Sequence, residues 1–195
     1  MGAVIFDMSV SLDGYVRAAN PRPEEPLGEG GEALHTWALG DDAAGRDVLE
    51  RSVAGTGAVI CGRTTYDDSI RWWQADGPTG PARLPVFVLT HSAPSEAPAG
   101  GVYTFVTTGI EDALAQAQEA AKGKDVTIMG GPAVGNQFLR AGLVDELSVH
   151  LAPVLFGAGT QLTETLPAHV ELEPAADQVS TADATHLRYR IKRAS

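Results

Sequence analysis

The stretch Val126-Thr127-Ile128-Met129-Gly130-Gly131-Pro132-Ala133-Val134-Gly135-Asn136 most constrains what this chain can fold into. It reads as a short buried strand that stops at two glycines and turns directly into a helix. Val126, Ile128 and Met129 supply the apolar run, and Gly130 and Gly131 leave the bend without side chains. Pro132 suits the first helical position, where its missing N–H would be unpaired anyway. The helix continues through Phe138 and Leu139, and Gly142 is placed to close it in a left-handed cap. A bare helix start gathers unpaired N–H groups and a partial positive charge, which favours a phosphate. A tight strand-to-helix connection that binds nothing has the same local sequence, so the rest of the chain must decide.

Around this stretch the residues alternate between strand and helix patterns. Ala3–Val10 is a first strand, apolar on both faces and therefore central. Ser11-Leu12-Asp13-Gly14 marks a turn, after which Val16 brings the chain back. Asn20–Gly31, rich in Pro, Gly and Glu, is a long surface loop of the kind that serves as a lid. Ala33–Leu39 makes a short helical turn, and Val48, Leu49 and Val53 set a helix from about Gly45. Gly57–Cys61 is a second strand, followed by a helix from Gly62 toward Ile70 and a loop carrying Trp72 and Trp73. Pro85–Thr90 and Val102–Val106 are the next strands. Thr108 and Glu111 form a capping-box pattern that opens a helix over Ile110–Ala121. Val144–Leu151 is a strand with Asp145 and Glu146 as caps at its start, and Ala152–Gly159 is a loop with two glycines. Val170–Val179 and Ala184–Ile191 form an antiparallel pair.

This order predicts an α/β fold in one domain over 1–195. Its central sheet is mixed and mainly parallel, with helices on both faces and a C-terminal antiparallel hairpin. Ligands of such sheets bind beyond the carboxyl ends of the strands. Gly62–Thr65, Thr90-His91 and Gly130–Val134 all fall there, and their convergence favours the phosphate reading of the focal turn.

Charge and cysteine content narrow the function classes. A formal net charge of −11 repels nucleic-acid phosphates and acidic lipid, so neither partner is expected. Any bound phosphate must be held by local cations and amides. No apolar run is long enough to span a membrane, and residues 3–10 lack the preceding basic region of a signal peptide. The single Cys61 fits a reducing cytosol and reads as a small buried hydrophobe. No His/Cys zinc motif is present.

Six motifs stand in order: Ser11-Leu12-Asp13-Gly14, Gly62-Arg63-Thr64-Thr65-Tyr66, Val88-Leu89-Thr90-His91, Met129-Gly130-Gly131, Ala141-Gly142-Leu143-Val144-Asp145-Glu146-Leu147, and Ala152–Gly159. Together they resemble the dihydrofolate reductase superfamily, and more closely the stand-alone relatives of the riboflavin-biosynthesis reductase domain. The resemblance implies a dihydrofolate reductase-like three-layer fold and an NADPH-dependent reductase of a pyrimidine- or pterin-like small molecule. Dihydrofolate reduction and a non-catalytic nucleotide-binding role on the same scaffold are the alternatives. With no clear basic cluster for a ribose phosphate, the chain reads as a divergent relative of the riboflavin enzyme.

By matching positions, Gly62, Arg63, Thr64 and Thr65 would hold the diphosphate and adenosine phosphate of NADPH. Leu89 would line the cofactor, with Thr90 and His91 near the adenosine 2′-phosphate; relatives often carry arginine where His91 stands. Gly130, Gly131, Pro132, Ala133 and Val134 would give backbone N–H groups to the diphosphate, and Ser9 and Val16 would flank the nicotinamide. Asp47 lies near the position of the family's acidic side chain, and is expected as proton donor or substrate anchor. A helix-start cap is its plain structural role. Asp13, Glu32 and His35 are further candidates. Trp37, Trp72 and Trp73 would stack on a flat heterocycle or serve packing. The resemblance also implies a homodimer, with the strand after Leu143 and the terminal strands offering apolar edges.

Overall fold

The computed structural model describes residues 2–163, 166 and 169–192. In chain order the elements are β1 (Val4–Ser11), β2 (Tyr15–Ala18), a 3-10 turn (Gly31–His35), α1 (Thr36–Leu39), α2 (Ala43–Gly55), β3 (Thr56–Gly62), α3 (Arg63–Trp73), a second 3-10 turn (Gly80–Ala82), β4 (Val86–Leu89), β5 (Tyr103–Val106), α4 (Ile110–Ala121), β6 (Asp125–Ile128) and α5 (Pro132–Arg140). Then follow β7 (Glu146–Ala152), β8 (Gly159–Gln161), β9 (Leu172–Pro174), β10 (Val179–Ser180) and β11 (Thr185–Ile191). The chain divides into two compact units, residues 1–5 with 52–143 and residues 6–51 with 144–195. Among the described residues no helix is long and apolar enough to cross a membrane.

In the first unit β6, β3, β4 and β5 lie side by side and parallel. Val59, Ile60, Val86, Val88, Val126 and Ile128 are buried almost completely, which explains their unbroken apolar runs. α4 packs on β3 and β4, while α3 and α5 pack on β3. Each fully buried Val or Ile contributes about 1.5–3 kcal/mol. The focal helix α5 ends as the sequence predicts. Gly142 sits at φ +68°, the Leu143 N–H reaches the Phe138 carbonyl at 3.0 Å, and the Gly142 N–H reaches Leu139 at 3.1 Å.

Two helix ends differ from the sequence reading. α3 runs on through Trp72 and Trp73, because Tyr66, Ile70 and Trp73 recur at helical spacing. Tyr66, Ile70 and Trp73 pack with Val59, Cys61, Val86 and Val88, so Trp73 belongs to the core. Trp72 is exposed, with the Arg71 guanidinium 3.7 Å above its ring. At α4 the cap is Gly109, one residue later than the capping box requires. Glu111 therefore misses the position that faces a capping hydroxyl, and Thr108 bonds the Asp112 carboxylate instead.

In the second unit β11 pairs antiparallel with β7, setting His186 opposite His150 and Leu187 opposite Val149. The first limb of the expected hairpin is broken into β9 and β10, each pairing antiparallel with β11. Pro174 sits opposite Tyr189 at a position that needs no N–H, the Ala175 N–H still reaches the Arg188 carbonyl at 2.9 Å, and the pairing then resumes at Val179. β2 and β8 form a separate two-stranded antiparallel sheet. The 20–30 segment is an irregular, mostly exposed loop, as predicted.

Candidate functional site

The first unit carries the glycine-rich rim. β3 and β6 are parallel neighbours with Ile60 opposite Ile128, so both strands end side by side. Each feeds a helix, α3 and α5, that has no side-chain cap. The N–H groups of the first turns, including those of Thr64, Thr65, Ala133 and Val134, are the ones left without intrahelical acceptors. Both helix dipoles add positive potential at this edge. The two starts are fastened together, since the Gly131 N–H donates to Thr65 Oγ1 at 2.8 Å. Gly130, at φ +97°, leaves the room in which the Thr65 side chain lies. Gly62 is equally confined, since a Cβ there would stand 2.9 Å from Val134 Cγ2.

Arg63 brings the cation. Its Nε donates to both Asp67 oxygens at 2.8 Å, and its Nη1 to the Ser92 carbonyl at 2.9 Å and to Thr90 Oγ1 at 3.5 Å. The Thr90 hydroxyl donates to the Ser92 carbonyl at 2.7 Å. Leu89 is half-buried, and Thr64 and His91 are exposed. One expectation for this rim needs correction. Pro132 has no N–H and that of Gly131 is spent on Thr65, so Ala133 and Val134 are the amide donors of the α5 start. A forked cation, hydroxyls and two uncapped helix starts form a donor set that suits a phosphate.

The second unit carries a buried polar cluster. His150 on β7 faces Asp7 on β1 through Nε2 at 3.2 Å, and His186 on β11 through Nδ1 at 2.7 Å. His186 Nε2 lies 3.3 Å from Thr181 Oγ1. Trp37 covers both rings, its centroid 4.1 Å from His150 and 4.9 Å from His186. Its indole N–H donates to Ser9 Oγ at 3.0 Å. His35 Nδ1 is buried without a hydrogen-bond partner among the described residues. Burial pushes His35 below the ordinary histidine range. Burial pushes the Asp7 carboxyl up, but the charge and hydrogen bond of His150, together with a Ser148 hydrogen bond and the Arg188 charge, hold it below its usual value. Burial first, then the charge of His150, holds His186 down to about 4.

That shift makes stability depend on pH. An unfolded histidine titrates near pH 6.5. Between there and about 4 the unfolded chain binds a proton that folded His186 refuses. Stability therefore falls as pH drops through this window. Thermal melts from pH 7 down to 4.5 should show a falling midpoint, and His186→Gln should flatten the slope.

The remaining expected residues are placed as follows. Ser9 and Val16 are buried in the second unit, Ser9 beneath Trp37. Asp47 lies on the exposed flank of α2, its carboxylate paired with Arg51. The cap of that helix is Asp42, which accepts the Ala44, Gly45 and Ala182 N–H groups at 3.2–3.3 Å. Asp13 shapes its turn, accepting the Ser11 hydroxyl at 2.6 Å and the Gly157 N–H at 2.7 Å. Burial raises the Cys61 thiol to about 12, which leaves it inert. Among the described residues no group of three His, Cys, Asp or Glu is placed to hold a metal ion. The sequence reading did not single out Asp7, the carboxylate of this cluster. The available signal was a carboxylate set in an apolar central strand.

A mixed, mainly parallel sheet with uncapped helix starts at its strand ends defines an α/β domain whose free backbone donors gather at the carboxyl rim of its strands. The chain belongs to the RibD C-terminal domain family, a family of reductase domains, whose model matches residues 3–185. No curated protein matches its sequence. Among solved structures it is similar to a Shewanella sp. PV-4 protein assigned to riboflavin biosynthesis, at 26% identity and TM-score 0.71, covering 98% of this chain and 99% of that one. It also shares its fold with Acinetobacter baumannii RibD, at 19% identity and TM-score 0.67, and there spans 59% of the relative's length. A pyrimidine reductase-like protein from Corynebacterium diphtheriae aligns at 16% identity and TM-score 0.61, over 98% of this chain and 93% of that one.

Proposed function

We propose that this chain is an NADPH-dependent reductase of a pyrimidine- or pterin-like small molecule, working in the cytosol as a homodimer. The observation that carries this reading is the pair of uncapped helix starts, clasped by Thr65 and Gly131 and flanked by Arg63. When bound, NADPH supplies the hydride. Arg63, the N–H groups of Ala133 and Val134 and the Thr64 hydroxyl would hold its phosphates, with Thr90 and His91 toward the 2′-phosphate. Titrating the protein with NADPH and following cofactor fluorescence tests the reading, and no binding at millimolar cofactor would overturn it. Turnover with 5-amino-6-(5-phosphoribosylamino)uracil beside dihydrofolate separates the two substrate classes.

The dimer is supported by one face of the β7–β11 ladder. Alternation sends His150 and His186 inward, while Leu147, Val149, Leu151, Leu187 and Tyr189 share the other face and stay half-exposed. A row of paired apolar side chains left partly in water is the kind of surface that a second copy covers. Leu187→Asp should weaken the dimer at least about tenfold, because an unpaired charge would be buried in its centre. Light scattering at micromolar protein reads the change. A wild-type monomer would overturn the assembly.

A further inference from the structure

The donors at the carboxyl end of β4 are already taken by the chain itself. The Ser92 carbonyl accepts from Arg63 Nη1 at 2.9 Å and from the Thr90 hydroxyl at 2.7 Å. The Ser92 N–H returns to Thr90 Oγ1 at 3.3 Å. Arg63 Nη1 stands 3.5 Å from the same oxygen, so guanidinium and hydroxyl converge on one small region. On its other edge Arg63 Nε faces both Asp67 oxygens at 2.8 Å, and Nη2 has no hydrogen-bond partner among the described residues. From 91 to 97 the chain is mostly exposed, and among the described residues its hydrogen bonds are those at Ser92. A single point therefore ties this segment down. The oxygen at that point uses a cationic N–H and a hydroxyl, the donors that an oxyanion seeks.

We propose that the 91–97 segment is a strap that caps this site in the free protein, and that a phosphate monoester displaces the Ser92 carbonyl when it binds. This rests on the reductase reading above, which brings the adenosine 2′-phosphate to Thr90. A monoester suits the exchange in charge and in shape. It carries about −1.5 to −2 charges at pH 7 and three free oxygens, enough for Nη1, Nη2 and the Thr90 hydroxyl together. A diester phosphate offers one charge and two free oxygens, and Asp67 already offsets the guanidinium. NADPH thus lifts the strap. NADH has a hydroxyl in place of that phosphate and leaves it closed. Once the Ser92 carbonyl is displaced, both of its donors belong to the ligand, and the segment from 91 to 97 loses its tie. The cap also lowers the apparent affinity, because the ligand binds only the uncapped fraction.

Water-exchange NMR at the Ser92 N–H reads the strap directly, first without any ligand. Thr90→Val and Arg63→Ala should each speed that exchange about two- to tenfold, the range of one hydrogen bond. No change in either variant overturns the cap, whatever the cofactor does. In the wild type, saturating adenosine 2′-monophosphate should speed the exchange by a similar factor, while adenosine and NADH leave it as it was. Slower or unchanged exchange with the monoester bound overturns the displacement. Ser92→Gly combined with Ala93→Gly keeps Arg63 and Thr90 but gives the strap more freedom to lose on closing. Isothermal titration of that variant should show adenosine 2′-monophosphate bound at least about threefold more tightly. Equal affinity overturns the competition between strap and ligand. A wild type that binds neither NADPH nor adenosine 2′-monophosphate overturns the reductase reading and the displacement with it, and the measurements without ligand still decide the cap.

Discussion

Gly130→Ala should lower the unfolding free energy by about 3 kcal/mol or more and abolish NADPH binding. Two costs combine. At φ +97° an L side chain adds about 1–2 kcal/mol of backbone strain. The new Cβ would also overlap Thr65, standing 2.8 Å from its Cβ and closer still to its Oγ1 and Cγ2. Overpacking of this kind costs a further 1–3 kcal/mol, roughly. The neighbour cannot simply swing aside, because Thr65 Oγ1 is the acceptor for the Gly131 N–H. If the side chain gives way, that bond breaks and the two helix starts separate. Urea unfolding measures the first effect and cofactor fluorescence the second. Thr65→Ala in the same chain removes the two atoms closest to the new Cβ, so the double variant should recover part of the stability. It should not recover binding. Equal stability of Gly130→Ala and wild type would mean that the turn is not held as described.

Arg63→Ala should weaken NADPH about ten- to a hundredfold while leaving the fold almost unchanged. The separation of the two effects is a matter of magnitude. Its ion pair with Asp67 is an i,i+4 contact on an exposed helix face, and such pairs contribute about 0.3–0.5 kcal/mol. Hydrogen bonds from a guanidinium to a charged oxygen contribute about 1.5–3 kcal/mol, which is one to two powers of ten in Kd. The chain's net charge of −11 adds weight to each local cation, since nothing in the global field attracts a polyphosphate. Arg63→Lys keeps the charge but loses the fork, and should fall between the two. Asp67→Asn leaves the guanidinium less engaged with its neighbour and should tighten binding slightly. Isothermal titration of the four proteins reads the series. A Kd for Arg63→Ala equal to wild type would remove Arg63 from the site.

What the sequence shows plainly is whatever rests on neighbours a few residues apart. The strand–Gly-Gly–Pro–helix run is such a case, down to Gly142 closing α5, because caps and turns are made within one turn of helix. The parallel strands of the first unit were legible for the same reason: their apolar runs are unbroken. Trp73 was misplaced because its helical spacing with Tyr66 and Ile70 was masked by the adjacent exposed Trp72. Asp47 drew attention as an acid on the right helix, yet its carboxylate is turned to Arg51 on the surface.

The sequence by itself determined the order of the main strands and helices, the apolar strands, the glycine turn and the family, but not the small β2–β8 sheet. Only the tertiary structure decided which polar groups meet. Asp7, His150 and His186 are separated by more than thirty positions at each step, and strand register alone sets His186 opposite His150. Thr65 and Gly131 lie 66 residues apart and meet because β3 and β6 end together. Local propensity acts over one turn of chain, whereas a buried hydrogen bond depends on where two distant backbones come to rest.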